Sequence, residues 1–444
     1  MAPAFHAVAD WDPPAVKDFP NHAEFAGEGS DAQALTEIGR RLFTTKFNVH
    51  DGAGRPAATG DSKPTIRFPE HNISFARIAG PDAMACSSCH NDPNVGGSGD
   101  FVTNVFVGAH LTDPPTQSTD PIITAERNTI GINGAGLIEL LSREITIDLQ
   151  DQREKAKLEA YISGESVDVS LTSKGIDFGT ITVLPNGSTV VKDTLPIDYD
   201  LIIRPFGVKG VASSLREFTL FALNQHHGIQ AIERFGWERT GLNDFDLDGV
   251  ENEFSIGQVS ALVAFQANLP PPQPKLSESA SLREAEMTGE RIFNTIGCNQ
   301  CHIPELDLES AIFTEPSPFN RPGAVTPSDV SDVIYLNVIP SVQGGAVVSA
   351  YTDFRRHNLC DSEVKHFCNE RIRQDNIDSE LFLTSKLWDL ATSAPYGHRG
   401  DLGTISEAIL AHGGDARTQR DKFVSLPDRM KKALISFLLT LGRQ

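Results

Sequence analysis

The chain has 444 residues, 39% hydrophobic and 22% charged, with 38 basic against 59 acidic side chains for a formal charge of −21. This is ordinary for a folded protein of two or three domains and excludes disorder as its organising feature. The acidic balance argues against a nucleic-acid backbone or an anionic membrane surface as partner, and no apolar stretch approaches the roughly twenty residues that span a bilayer.

In chain order, residues 29–47 ("GSDAQALTEIGRRLFTTKF") carry Leu35, Ile38, Leu42 and Phe43 at the helical period. Next comes "CSSCH", with Cys86, Cys89 and His90, which recurs as "CNQCH" at Cys298, Cys301 and His302. Two thiols on one short turn can reach the two vinyl groups of a haem, and the histidine that follows is then placed under the iron. Each copy therefore reads as the attachment site of one covalently held haem c. A zinc site would have to join two pairs more than two hundred residues apart, and a redox dithiol leaves the histidines unexplained.

Between these motifs, "FGTITVLPNGSTVVKDTL" (178–195) is β-branched and alternating around Asn186-Gly187, a hairpin signal. Helical periodicity returns in "SLREFTLFALNQHHGIQAIERFG". In "NDFDLDGVENEFS", Asp244, Asp246 and Asp248 alternate ahead of Gly249, the layout of a calcium loop. Ser255 stands where such a loop ends in glutamate, so Glu253 or Glu251 would complete the shell; a solvated acidic turn is the alternative.

"PPPQP" (270–274) reads as a linker, and "SLREAEMTGERIFNTIG" as an amphipathic helix leading into the second motif. Because haem c is attached outside the cytoplasm, a periplasmic or secreted protein is expected, its signal removed from the N-terminus. Cys360 and Cys368 then become a candidate disulfide, two buried free thiols being the alternative. In "PYGHRGDLGTISEAILAHGG", Thr404 and Glu407 form a capping box, and Ile405, Ala408, Ile409 and His412 share one face of the helix that follows. His412 is thus a candidate sixth ligand; with four methionines in the chain, Met ligation is nearly excluded. Residues 427–442 form a last helix, with Asp428 expected as its N-cap and Met430 on its buried face alongside Ala433, Leu434, Phe437, Leu438 and Leu441.

The stretches "GERIFNTIGCNQCHIPEL", "YTDFRRHNL" and "LWDLATSAPYGHRGDLGTISEAILAHGG" resemble the dihaem c-type oxidoreductases related to bacterial cytochrome c peroxidases and to the methylamine dehydrogenase maturation enzyme. The resemblance is close over 282–444 and weaker around the first haem. It implies electron transfer at the C-terminal haem and catalysis at the N-terminal one, with a glutamate as acid/base; Glu139 in "GLIELL" matches, an ordinary helix carboxylate being the alternative. The family's ligand fourteen residues past its Pro-Tyr-x-His histidine falls on His412, where methionine is usual, implying bis-histidine ligation and a lower potential. The family's removable distal histidine falls on Phe106, with His110 nearest, and its bridging tryptophan is missing between residues 12 and 236. His226, His227 and His357 read as structural.

The expected fold is mainly α, with two cytochrome c-type haem domains (1–150 and 275–444) flanking a segment (151–274) that holds a small β insertion and the calcium loop. The expected activity is peroxide reduction at the first haem, fed through the second by a small redox protein, a c-type cytochrome or a cupredoxin. A dihaem oxidase or oxygenase and a pure electron carrier are the alternatives; the chain's length argues against a carrier.

Overall fold

The structure is a computed structural model that describes residues 12–16, 32–54, 65–67, 73–75, 83–99, 102–105, 125–191, 195–246, 248–331, 333–339, 345–370 and 373–442. It is mainly helical with small antiparallel sheets. Helix α1 (Ala32–Thr44) buries Leu35, Gly39, Leu42 and Phe43, a stripe at i, i+4, i+7 and i+8. Strands β1 (Thr65–Arg67) and β2 (Ile73–Phe75) pair, as do β3 (Val102–Val105) and β4 (Ala125–Asn128). Helix α2 (Ala135–Ser163) then runs unbroken across the domain boundary expected at residue 150. Its first turns, Ala135 to Arg143, are buried on every side, so no 3.6-residue alternation marks it in the sequence.

The β insertion is a three-stranded meander of β5 (Val167–Ser173), β6 (Ile176–Val183) and β7 (Thr189–Val191), with Gly187 at φ 79° in the turn. Helices α3 (Leu215–Ala222), α4 (Ile232–Phe235), α5 (Trp237–Thr240) and α6 (Ile256–Ala267) follow. After the proline run come α7 (Ala280–Ile296) and three hairpin-like pairings: β8 (Leu306–Leu308) with β11 (Ala346–Val348), β9 (Ile312–Glu315) with β10 (Ile334–Asn337), and β12 (Arg356–Asn358) with β13 (Leu381–Leu383). Helices α8 (Ile405–Leu410), α9 (Arg417–Ser425) and α10 (Asp428–Leu438) close the chain. Pro427, not Asp428, is the N-cap of α10, and Met430 is exposed while the rest of the expected face is buried.

The second half repeats the first. Gly39 of α1 lies against the Ala261 carbonyl and Phe265 of α6, and Gly289 of α7 lies against the Ala433 carbonyl and Phe437 of α10. A methyl group at either glycine would fall about 2 Å from the facing carbonyl oxygen, so only glycine permits the crossing. The stretch Pro205-Phe206-Gly207 to Glu217 likewise parallels Pro395-Tyr396-Gly397 to Glu407. In both, the glycines hold matching positive φ (81° and 65° at Gly207 and Gly210, 80° and 65° at Gly397 and Gly400), a bridge closes the loop, and Ser214 or Thr404 caps the next helix.

Cores do not follow the proline run. Leu306, Phe313, Leu336 and Phe354, beyond it in sequence, pack with α2 and α6 in the larger core, while α7 and α10 organise a smaller one. Packing therefore does not end at the linker.

Candidate functional site

Both Cys-x-x-Cys-His segments adopt one backbone geometry. Each is a 3-10 turn, Cys86–Ser88 or Cys298–Gln300, whose histidine amide donates to the first cysteine's carbonyl at 3.1 Å (His90) and 3.0 Å (His302). Burial pushes the Cys86 thiol up to about 12 and the Cys298 thiol up to about 11, the opposite of a reactive dithiol. Among the described residues no potential metal cluster joins the two cysteine pairs, so the zinc alternative finds no support. Cys301 lies near Asp353 and His357, but a thioether sulfur would not be free to ligate there.

Each motif opens on a cavity. The second, of about 300 Å³, is lined by Cys298, Cys301, His302, Ile405, Ala408, Ile409 and His412. The face expected from periodicity is therefore the face that meets the cavity. His302 Nδ1 donates to the Tyr351 carbonyl at 3.0 Å and His412 Nδ1 to the Ala408 carbonyl at 2.7 Å, which leaves each Nε2 with its lone pair. Burial, then the nearby His412, lowers His302 to about 4; burial lowers His412 as well. Two neutral imidazoles in one pocket beside two cysteines fit a haem with both axial positions filled.

Cys360 and Cys368 form a disulfide. The loop it closes supports the turn after His412: the amide of Gly413 donates to the Leu359 carbonyl, and that of Gly414 to Asp361 Oδ2.

The first cavity, of about 500 Å³, is lined by Cys89, His90, Ile138, Phe218, Phe221, Gln225 and His226 among others. Burial lowers His90 to about 4. His227 donates from Nδ1 to the Ala83 carbonyl at 2.7 Å and sets Nε2 3.6 Å from Cys86 Sγ. Phe106 and His110 lie outside the described residues.

Glu139 does not line either cavity. It is fully buried, accepts from Arg143 (Nη2 at 2.5 Å) and from the Leu215 amide at 2.7 Å, and joins α2 to α3. Burial raises its pKa, with Arg143 opposing. In this structure the carboxylate ties α2 to α3.

The two cavities share a wall, residues 128–131 and 383–386, where the Asn128 amide donates to the His398 carbonyl at 2.9 Å. Lys386 borders both cavities, is lowered to about 8 by burial, and makes no hydrogen bond among the described residues. Trp388 lines the second cavity and packs on Gly134 at the start of α2, its indole N–H donating to the Ser349 carbonyl at 2.6 Å. Trp388 thus touches the first half of the chain without lining its cavity.

Asp244, Asp246 and Asp248 converge, with ligand atoms within 4.8 Å of one another. Glu253 does not join them; its Oε2 accepts from the Gln230 amide at 2.6 Å and its side chain lies against Gly52. Ser255 caps α6, which accounts for a serine where a calcium loop would end in glutamate.

No family model matches the chain, and no curated protein matches it in sequence. Among solved structures it is similar to hydrazine synthase of Kuenenia stuttgartiensis, at 13% identity, TM-score 0.36, covering 98% of each chain. It is also similar to a MauG-like protein associated with microbial copper homeostasis, at 15% identity, TM-score 0.34, covering 97% of this chain and 95% of that one. Likeness at this level carries no statement about activity. No helix among the described residues is long and apolar enough to cross a membrane.

Proposed function

We propose that the chain is an exported dihaem c-type oxidoreductase of the peroxidase-like kind. Cys86 and Cys89 hold one haem and Cys298 and Cys301 the other, with His90 and His302 as proximal ligands and His412 in the sixth position of the second. The observation that carries this reading is the pair His302 and His412, both lining the cavity at the second motif, each with Nδ1 bonded to a backbone carbonyl. Among the described residues Arg127, Arg234, Arg321 and Lys386 line the first cavity with Asp375; Arg321 pairs with Asp375 and Arg127 with Glu370, so Arg234 and Lys386 are the cations left to suit the two carboxylates of a porphyrin.

A bound haem supplies one-electron chemistry and, where its sixth position is open, activation of peroxide. The protein's part is positioning. The second cavity, closed by two imidazoles, suits electron transfer from a small redox protein, a c-type cytochrome or a cupredoxin. The first, larger and without an assigned sixth ligand, suits the substrate, hydrogen peroxide. Asp244, Asp246 and Asp248 would hold a calcium ion, completed by backbone or water oxygens in place of Glu253.

His412→Ala tests the assignment. Electron paramagnetic resonance of the ferric protein should show one low-spin signal replaced by a high-spin one, and an unchanged spectrum removes His412 from the iron.

A further inference from the structure

The repeat that relates the two halves extends into the sites. Just past the end of helix α8, His412 lines its cavity eight residues after the cap Thr404. The same distance from Ser214 reaches Ala222, which has no donor atom. The first-half helix does not stop there: a π turn, Leu223–His227, continues it and places His226 four residues past Ala222 in the lining of the His90 cavity. Such turns are uncommon and recur at functional sites.

The first-half imidazole thus comes four residues later than its second-half counterpart, and the first cavity is larger, about 500 Å³ against about 300 Å³. His226 and His90 line the same cavity.

We propose that His226 is the proton-handling group on the sixth-position side of the first haem, the role the sequence placed on Glu139. This rests on the dihaem reading above. Imidazole takes up and returns protons near neutral pH, as general acid/base catalysis requires. An imidazole nitrogen of His226 accepts one proton of hydrogen peroxide as it binds and returns it to the outer oxygen, which leaves as water when the O–O bond breaks. The two electrons consumed come from the haem centres and are restored by two molecules of reduced redox protein; two protons from solvent release the second oxygen as water.

Cyanide tests this without turnover, because hydrogen cyanide must also give up its proton to bind ferric haem. In the ferric holoprotein, with two haems verified by mass, His226→Ala and His226→Gln should each bind cyanide about a hundredfold more slowly than wild type. An unchanged rate overturns the proposal. So does a faster rate with a new high-spin signal, which would make His226 an iron ligand, or slowing in Glu139→Gln while the His226 variants bind at the wild-type rate. A mass without two haems instead defeats the dihaem reading, and this proposal with it.

Discussion

His398 shows how burial sets the chemistry of one residue at the junction. It is nearly fully buried, its Nε2 donates to Asn369 at 3.0 Å, and Glu370 lies at 3.5 Å. Glu370 alone would favour the imidazolium, yet burial, followed by Arg127, Lys209 and Arg399, pushes His398 down to about 2. The folded protein therefore keeps it neutral, while the unfolded chain protonates it near pH 6.5. The unfolded state then binds more protons below that value, so this contribution to stability is present above pH 6.5 and is lost as pH falls. In urea unfolding of the holoprotein, His398→Gln should lessen the acid loss by up to about 1.4 kcal/mol per pH unit below 6.5. Parallel wild-type and variant profiles between pH 7 and 5 would contradict it. The sequence shows only the neighbouring Arg399 of this environment, because Arg127 and Lys209 come from segments far away in the chain.

At the scale of elements, the helix pairs α1 with α6 and α7 with α10 are built alike, and glycine sets how closely each pair approaches. Gly289→Ala would drive a methyl group into the Ala433 carbonyl, an overpacking that should cost about 1–3 kcal/mol, with Gly39→Ala similar at Ala261. Chemical denaturation checks both, and full stability in either variant would mean that the helices can part at little cost. Periodicity revealed α1, α7, α8 and α10, since each has one wet face. It missed α2, whose start is buried all round, and it assigned Met430 to a face from which the structure excludes it. The cap at Thr404 was legible because capping is local; the π turn beyond α3 was not, because it departs from the 3.6-residue period that guides such readings.

For the whole molecule, the acidic composition and the two motifs indicate what kind of protein this is, while the fold determines which residues meet. Cysteine spacing alone points to Cys86, Cys89, Cys298, Cys301, His90 and His302, because the proposed thioether attachment would be a local geometry. Long-range pairings were harder to read. Glu139 matched a motif yet faces Arg143, Trp388 of the second half packs on Gly134 of the first, and Leu306, Phe313, Leu336 and Phe354 crossed an apparent linker to join the larger core. The parallel between Pro205–Glu217 and Pro395–Glu407 is plain in the sequence once the structure aligns the halves, and it directs attention to His226.

The central claim is that two haems are bonded to sulfur within one chain. Intact-mass measurement of protein matured with its haem-attachment machinery tests it directly, alongside variants in which Cys86 and Cys89, or Cys298 and Cys301, are replaced by alanine. Wild type should carry the mass of two haems and each double variant one haem fewer. A polypeptide mass without haem, or loss of neither haem on replacing a cysteine pair, would contradict the account.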